Sequence, residues 1–168
     1  MDLGTIGNAF RAQLIVPEQR QLFDYWLEQT RGRVMPARAD ISPARIPRLL
    51  SGISLVEVNA TSRRCRFRLA GTRLREIYDR EITGLHLDDL DWGDKEDYWR
   101  AAYGRAIDEA KPAQGVVRGP TVHKEHLIQY WLKLPLSSDG AVVDMLLCHD
   151  YFMPASEAAH DLRAAHAG

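Results

Sequence analysis

Between residues 64 and 90 the chain changes its hydrophobic period twice, and any fold it adopts must accommodate both changes. Apolar Cys65, Phe67 and Leu69 alternate with Arg64, Arg66 and Arg68, the period of a half-buried strand. At Ala70-Gly71-Thr72 the alternation stops. Thr72 is placed to accept a hydrogen bond from an early helical amide, and Leu74, Ile77 and Tyr78 then recur at helical spacing. Gly84 ends this excursion, and Leu85, Leu87 and Leu90 anchor another short turn. A strand that runs into short helices bearing inward aromatic and aliphatic groups leaves a hollow between helices and sheet, and that hollow is where function is expected.

The remaining segments supply a sheet and its covering. Residues 1–16 read as a flexible arm or short helix. Pro17 suits a first helical position and Gly32 the position past a helix end; between them Leu22, Phe23, Trp26, Leu27 and Thr30 form one apolar stripe. This helix is expected to lie on its own sheet as a lid or to pair with its copy in a dimer, and Trp131 is assigned to the same surface. Pro36, Pro43 and Pro47 break residues 35–50 into short turns, because each removes a backbone donor. Residues 52–58 and 64–70 read as an antiparallel pair around a turn at 59–63. Residues 94–110 form the clearest helix, with Asp94 as its N-cap and Trp99, Ala102, Tyr103, Ala106 and Ile107 on one stripe. A strand at 114–122 is interrupted by Gly119-Pro120. In the last hairpin Ile128, Tyr130, Leu132 and Leu134 share one face, as do Val143, Met145, Leu147 and His149 after a turn at 137–140. That face is assigned to the rings of helix 94–110, and the face of Trp131 and Leu146 to the helix from Pro17. Residues 154–168 read as an alanine-rich tail.

At 168 residues the chain suits one domain that closes a core without metals or disulfides. Lys plus Arg number 22 and Asp plus Glu 23, so no global field draws it to nucleic acid or an anionic membrane. No apolar run approaches the ~20 residues that cross a bilayer, and no basic region followed by an apolar one marks a secretory start. A cytoplasmic location is expected, with Cys65 and Cys148 reduced and buried.

The strand, the Ala-Gly-Thr break, the short helix ending at Tyr78 and the run Thr83-Gly84-x-x-Leu87-x-x-Leu90 together resemble the opening of a PAS domain. With Tyr25-Trp26 and the run from Met35-Pro36 to Leu49-Leu50, the chain is similar to a bacterial family of largely stand-alone PAS-like proteins long classed as a domain of unknown function. The likeness runs from Gln21 to Phe152. It implies an α+β fold: a PAS-like antiparallel five-stranded sheet at 51–153, with short helices and one long helix on one face and an N-terminal helix, within 17–50, on the other. It further implies a non-catalytic sensory or regulatory module that binds a small molecule internally, or a partner protein on its sheet or N-terminal helix. Such a module is expected to be a homodimer that reports to a separate signalling protein.

The candidate pocket residues are Phe67, Leu74, Tyr78, Trp99, Tyr103, Tyr130, Leu132, Met145 and His149, aromatic walls with a few orienting polar groups. No cofactor is assigned. Haem is disfavoured because helix 94–110 carries no histidine. Flavin is disfavoured because Cys65 lies in a strand before the short helices, whereas in flavin-binding photoreceptor PAS domains the cysteine follows them. No metal site is assigned, since His123 and His126 would point to opposite faces of a strand. The arginines at 64, 66 and 68 have no aromatic platform on which bases could stack. Two rival functions remain open: a small cyclase-like or isomerase-like enzyme with His149 as general base, assisted by Asp150 or Tyr130, and a structural dimer adaptor with no ligand.

Overall fold

The computed structural model describes residues 3–158. Five strands, β1 (Ile53–Val58), β2 (Cys65–Ala70), β3 (Ala113–Arg118), β4 (Leu127–Leu136) and β5 (Met145–Pro154), form one antiparallel sheet in the order β2-β1-β5-β4-β3. Local sequence closes both hairpins. The Asn59 carboxamide oxygen accepts from the amides of Thr61 and Ser62 at 3.0 and 2.8 Å, turning β1 into β2. The Asp139 carboxylate accepts from the amides of Ala141 and Val142 at 2.8 and 2.9 Å. Those bonds hold its pKa down to about 2 and extend the second turn past the expected four residues.

A bulge overrides the alternation expected of β2. Leu55 pairs with Leu69 and Val56 with Phe67, which leaves Arg68 unopposed. Phe67 therefore points into the core, while Leu69 turns to the other face beside Leu55 and Leu147 and stays 45% exposed. Residues beyond the first short helix cover the free edge: the Phe67 amide donates to the Leu85 carbonyl at 2.9 Å, and the Gly84 amide to the Phe67 carbonyl at 2.7 Å.

Helices α1 (Leu3–Gln13), α2 (Pro17–Thr30), α3 (Thr72–Tyr78) and α4 (Glu96–Asp108) complete the fold. Residues expected as an arm or short helix form α1, which packs on α2 through Phe10 and Phe23, ring centroids 5.0 Å apart. As expected, α2 begins at Pro17 and ends where Arg31 and Gly32 take positive φ. The proline-punctuated connector makes three short 3-10 turns, Arg38–Asp40, Pro43–Arg45 and Pro47–Gly52. The Tyr25 hydroxyl accepts the Ser42 amide at 2.8 Å and so pins this connector to α2. At the break from β2 into α3, a Cβ on residue 71 would lie 2.4 Å from the carbonyl oxygens of Leu50 and Ser51, so only glycine permits that crossing. The expected Asp94 cap does not form. Gly93 takes φ of 53° and draws Asp94 into a 3-10 turn, so that Lys95 becomes the residue before α4. The layers are those expected: α3, the short turns and α4 on one face of the sheet, α2 on the other.

Candidate functional site

Which hairpin side chains meet which helix is the reverse of the sequence expectation. Trp131 lies under α4: its indole N–H donates to the Tyr98 hydroxyl at 2.8 Å, and its ring is 6.1 Å from that of Trp99. Strand alternation puts Gln129 and Lys133 on the same face, and the antiparallel register adds Asp150, Cys148 and Leu146 of β5. Tyr130, Leu132, Leu134, Met145, Leu147 and His149 face α2 instead. There the Gln19 amide donates to the carbonyls of Tyr130 and His149 at 2.9 and 3.2 Å, and the Trp26 indole to the Pro135 carbonyl at 3.0 Å.

The nine candidate pocket residues are therefore divided by the sheet. Phe67, Leu74, Tyr78, Trp99 and Tyr103 lie on the α4 side; Tyr130, Leu132, Met145 and His149 lie beneath α2. Trp131, assigned to the lid, belongs to the α4 side. Both parities of the hairpin carry large apolar groups, so alternation could not choose between helices. Polarity chooses. The ring tips near α4 need partners, and the mixed face of Trp131, Lys133 and Asp150 suits them, while the other face, with Leu132, Leu134 and Leu147 at its centre, takes Leu22, Phe23 and Trp26. Those three residues are buried on the chain's own sheet and cannot also serve a dimer surface; Leu27, in the same stripe, is 40% exposed.

His149 is also poorly placed for the enzymatic alternative. It is buried under α2, and its Nδ1 has no partner among the described residues. Burial pushes its pKa down to about 4, opposed by the charge of Glu18. Asp150, the suggested assistant, is on the opposite face of the sheet.

Under α4 the structure gathers polar groups, of which Lys133, Gln129 and Ser54 were not singled out by the sequence pattern. Lys133 is 1% exposed, and its Nζ stands 3.7 Å from the centroid of the Tyr103 ring, 5.3 Å from that of Trp131 and 5.4 Å from that of Trp99. Asp150 is buried beside this group and accepts from the Gln129 amide at 2.6 Å. Burial pushes the Asp150 carboxyl up, against the Lys133 charge and the Gln129 hydrogen bond that draw it down. Cys148 pairs across the sheet with Lys133 on one side and Ser54 on the other, and burial raises its thiol to about 11. Ser54 Oγ and Gln129 Oε1 find no oxygen or nitrogen partner among the described residues. On the helical side Tyr78 accepts from the Trp92 indole at 3.2 Å, and the Trp92 ring stacks at 19° on that of Tyr103.

Tyr103 also lines a cleft of about 380 Å³ that opens between α4 and the start of β2. Cys65, Leu87, Leu90, Trp92 and Ile107 form its apolar lining. At its rim three arginines are each matched to an acid: Arg63 to Asp108 at 3.2 Å, Arg64 to Asp88 at 3.6 Å and Arg100 to Glu96 at 2.8 Å. Burial raises the Cys65 thiol to about 11, so it is a weak nucleophile there.

The pattern of the PAS domain family matches residues 15–148. This chain belongs to the PAS domain family. The fold of this PAS domain is similar to that of a Rhodobacter sphaeroides LOV protein, with a TM-score of 0.51 and 16% identity over 75% of this chain and 76% of that one. It is also similar to a structure that addresses the light-oxygen-voltage domain mechanism with a flavin analogue, with a TM-score of 0.53 and 9% identity over 73% of this chain and 94% of that one. An RNA-binding light-oxygen-voltage receptor has a TM-score of 0.50 and 14% identity over 78% of this chain and 41% of that one. At such identities the likeness concerns the fold alone. No curated protein matches the chain. Among the described residues, no helix is long and apolar enough to cross a membrane.

These likenesses correct the expectation that flavin is disfavoured. The position of Cys65, upstream of the short helices, gave no ground for setting flavin aside, since the fold recurs in light-oxygen-voltage proteins, one of them treated with a flavin analogue. A planar ring system entering between α4 and the sheet would share that space with Trp99, Tyr103 and Trp131; the cleft beside Cys65 is where the described residues leave room.

Proposed function

We propose that this PAS domain is a non-catalytic sensory module whose signal is a small molecule entering the cleft between α4 and the β1–β2 hairpin. The observation that carries this reading is the position of Tyr103. One side of its ring lines the cleft, and Lys133 Nζ lies 3.7 Å from the ring centroid in the interior. A molecule seated in the cleft presses on that ring or turns it, and either motion alters how α4 sits on the sheet. A ligand shifts such an equilibrium only by binding one arrangement better than the other. The displaced α4 is then read by a separate signalling protein in the cytoplasm.

The test uses the full chain and a Gly104→Phe variant. Gly104 lines the cleft, and a Cβ there would meet only the Asp108 carboxylate at 3.7 Å, so the new ring can fill the cleft without disturbing the backbone. After incubation with a cell-derived metabolite mixture, native mass spectrometry should find a small molecule on the wild type and none on the variant, with hydrogen exchange in α4 changed only where the molecule is retained. A wild-type protein that retains nothing overturns the reading.

A further inference from the structure

Lys133 is a lysine with almost no exposed surface. An ammonium taken from water into the middle of a sheet loses hydration that charge and hydrogen bonds must replace. Three rings replace part of it. Among the described residues Nζ makes no ion pair, and it is not one of their fully buried atoms left without a partner, so the rings screen the ammonium without sealing it. Asp150, the buried acid on the same face, is engaged by Gln129 and feels the Lys133 charge, but no salt bridge among the described residues joins the two. One strand beyond Cys148, the Ser54 hydroxyl is without an oxygen or nitrogen partner among the described residues. Lys133 and Ser54 thus stand on either side of Cys148 in one row across three strands, with the Ser54 hydroxyl within reach of its sulfur.

We propose that Lys133 and Ser54 are the anion-recognising pair of this module, and that its ligand is a small molecule carrying a single carboxylate. This rests on the reading of the cleft as the ligand's entrance. The way inward is past Tyr103. The stack on Trp92 and the Lys133 ammonium hold its ring beside the cleft, and its hydroxyl has no hydrogen bond among those of the described residues. Turning it lets a carboxylate accept from Nζ and from Ser54 Oγ, while the ligand's apolar part occupies the lining of Leu87, Leu90 and Trp92. Asp150 sets the limit on charge. A second negative group on the ligand would approach a buried acid already held without a direct cationic contact, so monocarboxylates are preferred to dicarboxylates. The rim does not select charge, because its three arginines are each matched by an acid.

The experiment titrates straight-chain monocarboxylates of four to eight carbons, and the matching neutral amides, into wild type, Lys133→Met and Asp150→Asn, reading tryptophan fluorescence and melting temperature. Trp99 and Trp131 flank Lys133, so a bound head group changes their emission. Wild type is expected to favour a carboxylate over its amide by roughly ten-fold or more, the margin of a charge-assisted bond inside a protein. Lys133→Met should lose that preference and keep the affinity for the amide. Asp150→Asn removes the competing acid and should tighten carboxylate binding, a gain that loss of structure cannot imitate if Lys133→Met fails to fold. Equal binding of acid and amide to wild type overturns the anion assignment and leaves the cleft reading standing. Unchanged carboxylate affinity in Asp150→Asn also overturns the assignment. Binding of neither series to wild type overturns both.

Discussion

Acid should loosen this fold through one residue, His149. Its imidazole is buried beneath α2, and its pKa falls from an ordinary 6.5 to about 4 because burial disfavours the charged form. Between those values the unfolded chain binds a proton that the folded one does not. Stability is therefore complete above pH 6.5 and is lost as pH falls, levelling off below about 4. At about 1.4 kcal/mol per pH unit the loss is about 2 kcal/mol by pH 5 and about 3 kcal/mol by pH 4. Asp150 acts with the opposite sign: burial raises its pKa, so taking up a proton on acidification adds stability. Asp40 and Glu81 have lowered values, through hydrogen bonds from Arg33 and Thr83 respectively, and lose their contribution only below their ordinary range, under pH 5. Urea unfolding followed by circular dichroism at pH 8, 7, 6 and 5, on wild type and on His149→Gln, isolates the histidine because the amide cannot charge. Wild type should lose about 2 kcal/mol more than the variant between pH 8 and 5. Parallel curves for the two proteins would refute the argument.

Other perturbations follow from the same packing. Trp26→Ala opens a large cavity under α2 and strips the Pro135 carbonyl of its indole donor, which should cost about 3–5 kcal/mol in urea unfolding; a change below 1 kcal/mol would mean that α2 is not docked on β4. Gly115→Ala sets a Cβ 2.5 Å from Trp131 Cζ2, so the indole must move; a loss of about 1–3 kcal/mol and a shifted tryptophan emission are expected. Tyr98→Phe removes the acceptor of the Trp131 N–H and should cost about 1 kcal/mol, measured by thermal unfolding.

The sequence made the hairpins, the proline-broken connector and the boundaries of α2 legible, because each depends on neighbours a few residues away. Pro17 and Gly32 bracket α2, and Asn59 organises its own turn. The bulge at Arg68 was not legible. It arises from matching two strands across the sheet, and nothing in the alternation of Cys65, Phe67 and Leu69 marks where the match slips. The allocation of helices to faces was hidden for a related reason. Periodicity says which residues share a face but not what covers it, and here both faces are covered. Lys133 and Gln129 have the parity of solvent-facing residues in a one-sided sheet, which is how a buried lysine escapes a reading by pattern. The signal was Trp131 between them: a large ring on the polar parity means that face is interior too, and its polar members are then buried and in need of partners.

The two faces also differ in what holds them. Beneath α2 the packing is aliphatic and aromatic, closed by Gln19 and Trp26 hydrogen bonds to the backbone of β4 and β5. Beneath α4 lie a caged ammonium, a buried carboxyl and, in Ser54 Oγ and Gln129 Oε1, two polar atoms with no oxygen or nitrogen partner among the described residues. Opening the α2 face puts apolar surface into water, offset only by rehydration of His149, whose Nδ1 has no partner among the described residues. Opening the α4 face exposes apolar surface as well, but it also rehydrates charge. The free energy separating closed from open is therefore smaller on the α4 side, and regions of low local stability are the ones from which moving elements are drawn. A signal that must move one helix and leave the domain folded has its easiest route through α4, with α2 as the fixed reference against which the motion is registered.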